Sequence, residues 1–146
     1  MQQEVGRLTI LVADDEPEVV NLVRTLLEWQ RYSVLDAADG RDAIQQARRM
    51  VPDLILLDVR MPRMNGLTVL ERLQADPLTE GIPVIMLSVV TTYSEVRSAL
   101  QRGAVAYLSK PFELKEMLEL VQRVLSTDPA TWQALREAAL RNVGRE

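Results

Sequence analysis

Five times along this chain a strand-like apolar run gives way to a helix-like stretch. No other feature constrains the fold as much, because the alternation predicts βαβ units and a parallel sheet with helices on both faces. The runs fall near 7–13, at Tyr32-Ser33-Val34-Leu35, from Asp53 onward, at 83–88 and at 105–109. The third and fourth are continuously apolar, as strands buried on both faces should be. The second is shorter and more polar, which suits an edge. Helical spacing places helices at about 16–30, 40–50, 66–75, 93–102 and 113–126. The first should bury Val19, Leu22, Val23, Leu26 and Leu27. The second should bury Ala43, Ile44, Ala47 and Met50, and the fifth Leu114, Met117, Leu118, Val121, Val124 and Leu125. Asp15 is a candidate N-cap for the first helix, Pro17 fits its first turn, and Gly103 suits the end of the fourth.

Four of the runs end on polar residues. Leu8–Ala13 leads into Asp14-Asp15, Leu54–Leu57 into Asp58, Val84–Leu87 into Ser88, and Val105–Ser109 into Lys110-Pro111. In a parallel sheet the carboxyl ends of the strands share one edge, and ligands bind there. Three carboxylates, a hydroxyl and an ammonium should therefore converge. Such a set can hold a divalent cation and carry a phosphoryl group on an aspartate.

Composition removes several other chemistries. The chain has 146 residues, enough for one domain with a real core. It has no cysteine and no histidine. Disulfide frameworks, thiolate or imidazole zinc sites and histidine acid–base catalysis are thereby excluded. A net charge of −4 argues against a general nucleic-acid or anionic-membrane surface. The apolar runs are too short to span a membrane, and Met1–Gly6 lacks the apolar core of a signal peptide. A cytoplasmic location is expected.

Taken in order, these pieces resemble the receiver domain of two-component response regulators. The matching residues are Asp14-Asp15, Asp58-Val59-Arg60-Met61-Pro62-Arg63-Met64-Asn65-Gly66, Ser88, and Gly103 to Phe112 with Lys110-Pro111 inside it. The resemblance covers roughly residues 7–126. It implies a doubly wound, flavodoxin-like α/β fold with a five-stranded parallel sheet in the order 2-1-3-4-5. It also implies that Asp58 is the phosphoacceptor, and that Mg²⁺ is held by Asp14, Asp15, Asp58 and the backbone carbonyl of Arg60. Lys110 would pair with Asp58 and then with a phosphoryl oxygen. Ser88 would donate a hydrogen bond to the phosphoryl group, and Tyr107 would be the switch aromatic that turns inward as Ser88 moves. A cis Lys110-Pro111 bond is implied too, although most X–Pro bonds are trans. Glu16 extends the acidic cluster. Val89, after Ser88, stands where the family more often has a smaller residue.

Each of these residues has a plainer role to weigh. Asp58 could cap the next turn, Asp14 and Asp15 could serve the first helix, and Ser88 could cap the fourth, although Thr91 or Thr92 is better placed. Tyr107 could be an ordinary strand aromatic. Their joint placement at strand ends favours the site.

The resemblance implies a histidine kinase or phosphotransfer protein as donor and a downstream protein target or output domain as receiver of the signal. In the family the surface of the fourth helix, fifth strand and fifth helix most often meets partners. The domain would assist its own phosphorylation and dephosphorylation without being an enzyme on another substrate. Direct nucleic-acid or membrane binding by this chain is not expected. An aspartyl-phosphate phosphatase of the haloacid dehalogenase type would need Asp where Arg60 stands, and a cap domain. A nicotinamide enzyme would need a Gly-rich turn after the first strand. A phosphorylation-independent interaction domain with the same fold is the remaining alternative.

Residues 1–126 are expected to form the receiver domain, and 127–146 a helical extension or the start of a linker. Asp128-Pro129 opens a helix expected over about 129–142 and stopping at Gly144. Trp132, Leu135, Ala139 and Val143 lie near one face of it. That face could pack back on its own domain, form a homodimer contact, or be a stalk to an output domain. No helix-turn-helix or catalytic pattern fits after residue 126, so a single-domain or truncated regulator is expected.

Overall fold

The structure is a computed structural model that describes residues 6–89 and 92–143. Five strands alternate with five helices: β1 (Thr9–Ala13), α1 (Pro17–Trp29), β2 (Ser33–Ala37), α2 (Gly40–Met50), β3 (Leu54–Asp58), α3 (Gly66–Gln74), β4 (Val84–Ser88), α4 (Tyr93–Gln101), β5 (Ala106–Ser109) and α5 (Leu114–Ser126). A sixth helix, α6 (Pro129–Val143), follows. The strands are all parallel in the order β2-β1-β3-β4-β5, as the resemblance implied. This is the flavodoxin-like receiver fold. Every residue of β3 and β4 is buried, and β2 lies at an edge.

The sheet separates two cores. On one side Val20, Val23 and Leu27 of α1 and Met117, Val121 and Val124 of α5 pack on Ile10, Val12, Leu54, Leu56, Ile85 and Leu87. On the other, α2, α3 and α4 pack on Leu11, Ile55, Leu57, Val84 and Met86. Each such buried side chain contributes about 1.5–3 kcal/mol relative to an exposed one. The alternation along each strand sends neighbouring residues to opposite cores, which is why β3 and β4 are apolar on both faces until they end at Asp58 and Ser88.

Several local expectations need correction. The N-cap of α1 is Glu16 rather than Asp15, and its side chain makes no capping bond. Asp14 instead accepts from the Glu16 amide at 3.0 Å, which orients the helix start. The buried stripe of α1 includes Val20, while Leu22 is 50% exposed. On α2, Met50 is 51% exposed as the last helical residue, where the chain turns through Val51 at φ 43° toward β3. Other features follow the sequence. Pro17 opens α1, Asp39 and Asn65 cap α2 and α3, and Thr92 caps α4. Gly103 follows α4 at φ 115°, a conformation that favours glycine. Thr91 and the expected stop at Gly144 lie outside the described residues, as does the side chain of Val143.

Helix α6 packs back on the domain and crosses the open β5 edge of the sheet. Trp132 and Leu135 join the core of α1 and α5, while Ala139 and Leu140 join that of α2, α3 and α4. An uncovered edge strand would otherwise present unpaired backbone groups to solvent. Among the described residues no helix is long and apolar enough to cross a membrane.

Candidate functional site

The chemistry gathers where β1, β3, β4 and β5 end. Asp14, Asp58 and Ser88 are buried there, and Lys110 reaches over them from the end of β5. Its Nζ donates to Asp14 Oδ2 at 2.7 Å, to Asp58 Oδ2 at 3.1 Å and to Glu16 Oε1 at 3.1 Å. The Lys110 backbone N–H bonds the Ser88 carbonyl at 2.7 Å, and the Lys110-Pro111 peptide is cis, as the resemblance implied. The ends of β4 and β5 are thus joined by backbone, and those of β1 and β3 are tied to them by the ammonium.

The β3–α3 loop is shaped around Asp58. The Arg60 amide donates to Asp58 Oδ1 at 3.2 Å, and the Gly66 amide donates to the Val59 carbonyl at 2.7 Å. A Cβ on Gly66 would lie 2.2 Å from the Asp58 carbonyl oxygen, so only glycine lets the loop close here. Gly66 belongs to the sequence motif, but its contact with the backbone eight residues earlier leaves no local sequence signal.

The electrostatics follow from burial and crowding. Burial, and then the charge of Asp14, push the Asp58 carboxyl up from 3.8 to about 6, against hydrogen bonds from Lys110 and the Arg60 amide. For Lys110 burial works against the charge. Hydrogen bonds to Asp14 and Asp58 outweigh it, so its proton is held more firmly than an ordinary lysine's. Negative charge is in surplus here, and one ammonium leaves part of it unopposed.

The expected residues do not all meet in one place. Asp14, Glu16 and Asp58 bring carboxylate oxygens within 4.8 Å of one another. Asp15 is exposed and stands outside that trio; it lines one groove with Val59, Arg60, Met61, Thr92 and Glu95 and another with Asn21 and Asp36. The cluster that includes Glu16 already holds a cation, because all three of its carboxylates bond the Lys110 ammonium. Hard oxygen donors suit Mg²⁺, and three carboxylates around one ammonium leave surplus negative charge that gives a divalent cation a reason to bind. The signal for Glu16 was its place two residues after Asp14. Which of two successive acids faces Lys110 depends on where α1 starts.

Tyr107 is half-buried on β5. Its hydroxyl lies 3.4 Å from Glu95 Oε1 and is also hydrogen-bonded with Ser88. Burial pushes its phenol up to about 12; Glu95 adds to this, while Ser88 and Arg60 work the other way. The switch pair expected from the sequence is therefore in contact. Val89, beyond Ser88, is 63% exposed.

Comparison with known proteins gives the same picture. A family model described as the response regulator receiver domain matches residues 10–122. The DNA-binding dual master transcriptional regulator RpaA of Synechocystis is 37% identical over 135 residues, covering 92% of this chain and 56% of that protein. The probable transcriptional regulatory protein TcrX of Mycobacterium tuberculosis is 35% identical over 118 residues, covering 81% of this chain and 50% of that protein. The chain thus spans about half the length of these curated relatives. Among solved structures, a putative response regulator from Chloroflexus aurantiacus superposes with a TM-score of 0.78 at 33% identity, covering 83% of this chain and 99% of that one.

Proposed function

Since this chain belongs to the response regulator receiver domain family, we propose that Asp58 is where it accepts a phosphoryl group. The chain is a phosphorylation-controlled module of two-component signalling. One observation carries the assignment of Asp58. It is a buried carboxylate at the ligand edge of the sheet, with Lys110 at 3.1 Å and a backbone amide at 3.2 Å holding its two oxygens apart.

The chemistry follows from these positions. An Asp58 oxygen attacks phosphorus as the bond to the donor's leaving group breaks, and the product is an aspartyl phosphate. Lys110 offsets charge on the arriving phosphoryl oxygens, and the Ser88 hydroxyl donates to one of them. Asp14, Asp15, Asp58 and the Arg60 carbonyl are the groups that would hold Mg²⁺, which when bound neutralises phosphoryl charge. Ser88, drawn to the phosphoryl group, alters the setting of Tyr107, and the signal leaves through that side chain. A histidine kinase or phosphotransfer protein is the donor, and a downstream protein or output domain reads the change. Residues 1–126 act as the receiver unit and 127–146 as its helical extension.

The test is labelling with a small acyl phosphate and Mg²⁺, read by intact mass. The parent gains one phosphoryl group, while Asp58→Asn and a chelated parent gain none. An adduct that survives in Asp58→Asn would place the phosphoryl group elsewhere.

A further inference from the structure

Helix α6 lies beyond residue 122, where the match to the family model ends, and its docking is specific. Arg136 Nε donates to the Ala104 carbonyl at 2.8 Å and its Nη2 to the Gly103 carbonyl at 3.2 Å. These carbonyls lie just past the carboxyl end of α4, where a guanidinium is favoured. Trp132 Nε1 donates to the Val124 carbonyl at 3.1 Å. Between these polar anchors the packing is incomplete. A cleft of about 350 Å³ remains, lined by Tyr107, Leu108, Leu120, Leu135 and Ala139. Glu116, Glu119 and Arg123 also line this cleft, which opens to the surface. A helix seated over an open, partly charged cleft has fewer apolar contacts to hold it, so α6 belongs to the more easily opened part of the structure.

Tyr107 lies between this helix and the site, lining the cleft together with Leu135 and Ala139. Its ring packs on the same core as Ala139 and Leu140, and its hydroxyl bonds with Ser88. The Ser88 hydroxyl has one proton to donate. It cannot serve the Tyr107 oxygen and a phosphoryl oxygen on Asp58 together, and the charged acceptor is the stronger. We propose that α6 is a releasable cover of the β5 edge, whose docking and the phosphorylation of Asp58 oppose one another through Tyr107. A phosphoryl group takes the Ser88 proton, Tyr107 loses the bond that holds it beneath α6, and the cover loosens. Linkage makes the effect reciprocal, so a loosened α6 favours the phosphorylated form. This inference rests on the roles proposed above for Asp58 and Ser88.

Hydrogen exchange of the full chain tests it, with acetyl phosphate and Mg²⁺ as the probe and the adduct confirmed by intact mass in the same sample. Amides of 129–143 should exchange at least about fivefold faster in adduct-bearing protein, with those of 40–50 unchanged. Arg136→Ala, or Trp132→Phe if that variant does not fold, should accumulate the adduct faster than the parent. Ser88→Ala without any donor should also speed exchange in α6, because it deletes the same bond. An adduct with α6 exchange unchanged or slowed overturns the inference. If no adduct forms, the phosphoacceptor reading fails by itself and Ser88→Ala decides: faster exchange in α6 supports the coupling, and unchanged exchange overturns it.

Discussion

Lys110 sits closer to Asp14, at 2.7 Å, than to Asp58, at 3.1 Å. Its first task in the cation-free protein is thus to balance a fully buried carboxylate. Removing one partner of a buried ion pair leaves an uncompensated charge and costs about 3–5 kcal/mol. Lys110→Ala should therefore lose about that much folding stability at neutral pH in chelator. Saturating Mg²⁺ should restore part of it. Urea titrations of both proteins, with and without Mg²⁺, check this. Equal stabilities in chelator would show that Asp14 finds its balance elsewhere.

Asp58 carries the pH dependence. Its carboxyl is at about 6 in the folded protein, against an ordinary value of 3.8. Between those values the folded state holds a proton that the unfolded chain has released. The group's contribution therefore falls as pH rises through that window, and is wholly lost above about 6. A gap of about two pH units corresponds to at most about 3 kcal/mol. Asp58→Asn has no such proton to lose, so it should gain on the parent between pH 4 and pH 7. Mg²⁺ should close the gap by favouring the ionised parent. Urea midpoints at pH 4.5 and 7.5 measure both effects, and parallel pH profiles would contradict them.

Gly66 tests the shape of the phosphoacceptor loop. A Cβ there would meet the Asp58 carbonyl oxygen at 2.2 Å and the Val59 Cα at 2.9 Å, both backbone atoms that cannot swing aside. Gly66→Ala must move Asp58 or open the loop. Acyl-phosphate labelling should drop at least about tenfold, since misplacement by about 1 Å can cost 10²-fold. Gly81→Ala is the control, because nothing lies within 4 Å of a Cβ built there. Equal labelling of the two variants would remove the claim.

The strand-end residues were legible because their position follows from topology alone. Once Leu54–Leu57 is a strand in a parallel sheet, Asp58 must stand at the same edge as Asp14, Ser88 and Lys110. Helix faces were less legible. Six apolar residues between 19 and 27 make a stripe wide enough for the sheet to choose a side, and it took Val20 over Leu22. The seat of α6 was beyond reach of local pattern, since Arg136 finds carbonyls 32 and 33 residues away in sequence. For a similar reason, local pattern did not show that Glu16, and not Asp15, would stand with Asp14 and Asp58 at Lys110. The hydrogen bond from the Glu16 amide to Asp14 fixes the turn into α1, and that turn sends Glu16 toward Lys110.

That arrangement gives opposite predictions for two adjacent acids. Glu16 spends its charge on Lys110, alongside Asp14 and Asp58, and a divalent cation at that spot would have to displace an ammonium. Asp15 lines the groove that Arg60 also lines and is not among the carboxylates bonded to Lys110. If Asp15, Asp58 and the Arg60 carbonyl hold the cation, as proposed above, its binding need not evict Lys110. Asp15→Asn should therefore weaken Mg²⁺ binding by at least about tenfold, a loss of about 1.4 kcal/mol. Glu16→Gln should leave Mg²⁺ affinity within about threefold of the parent, and should free Lys110 to pair more closely with Asp58. Isothermal titration with Mg²⁺ on the three proteins separates the two roles. A larger loss in Glu16→Gln than in Asp15→Asn would move the cation to the Glu16 side and make Lys110 the group it displaces.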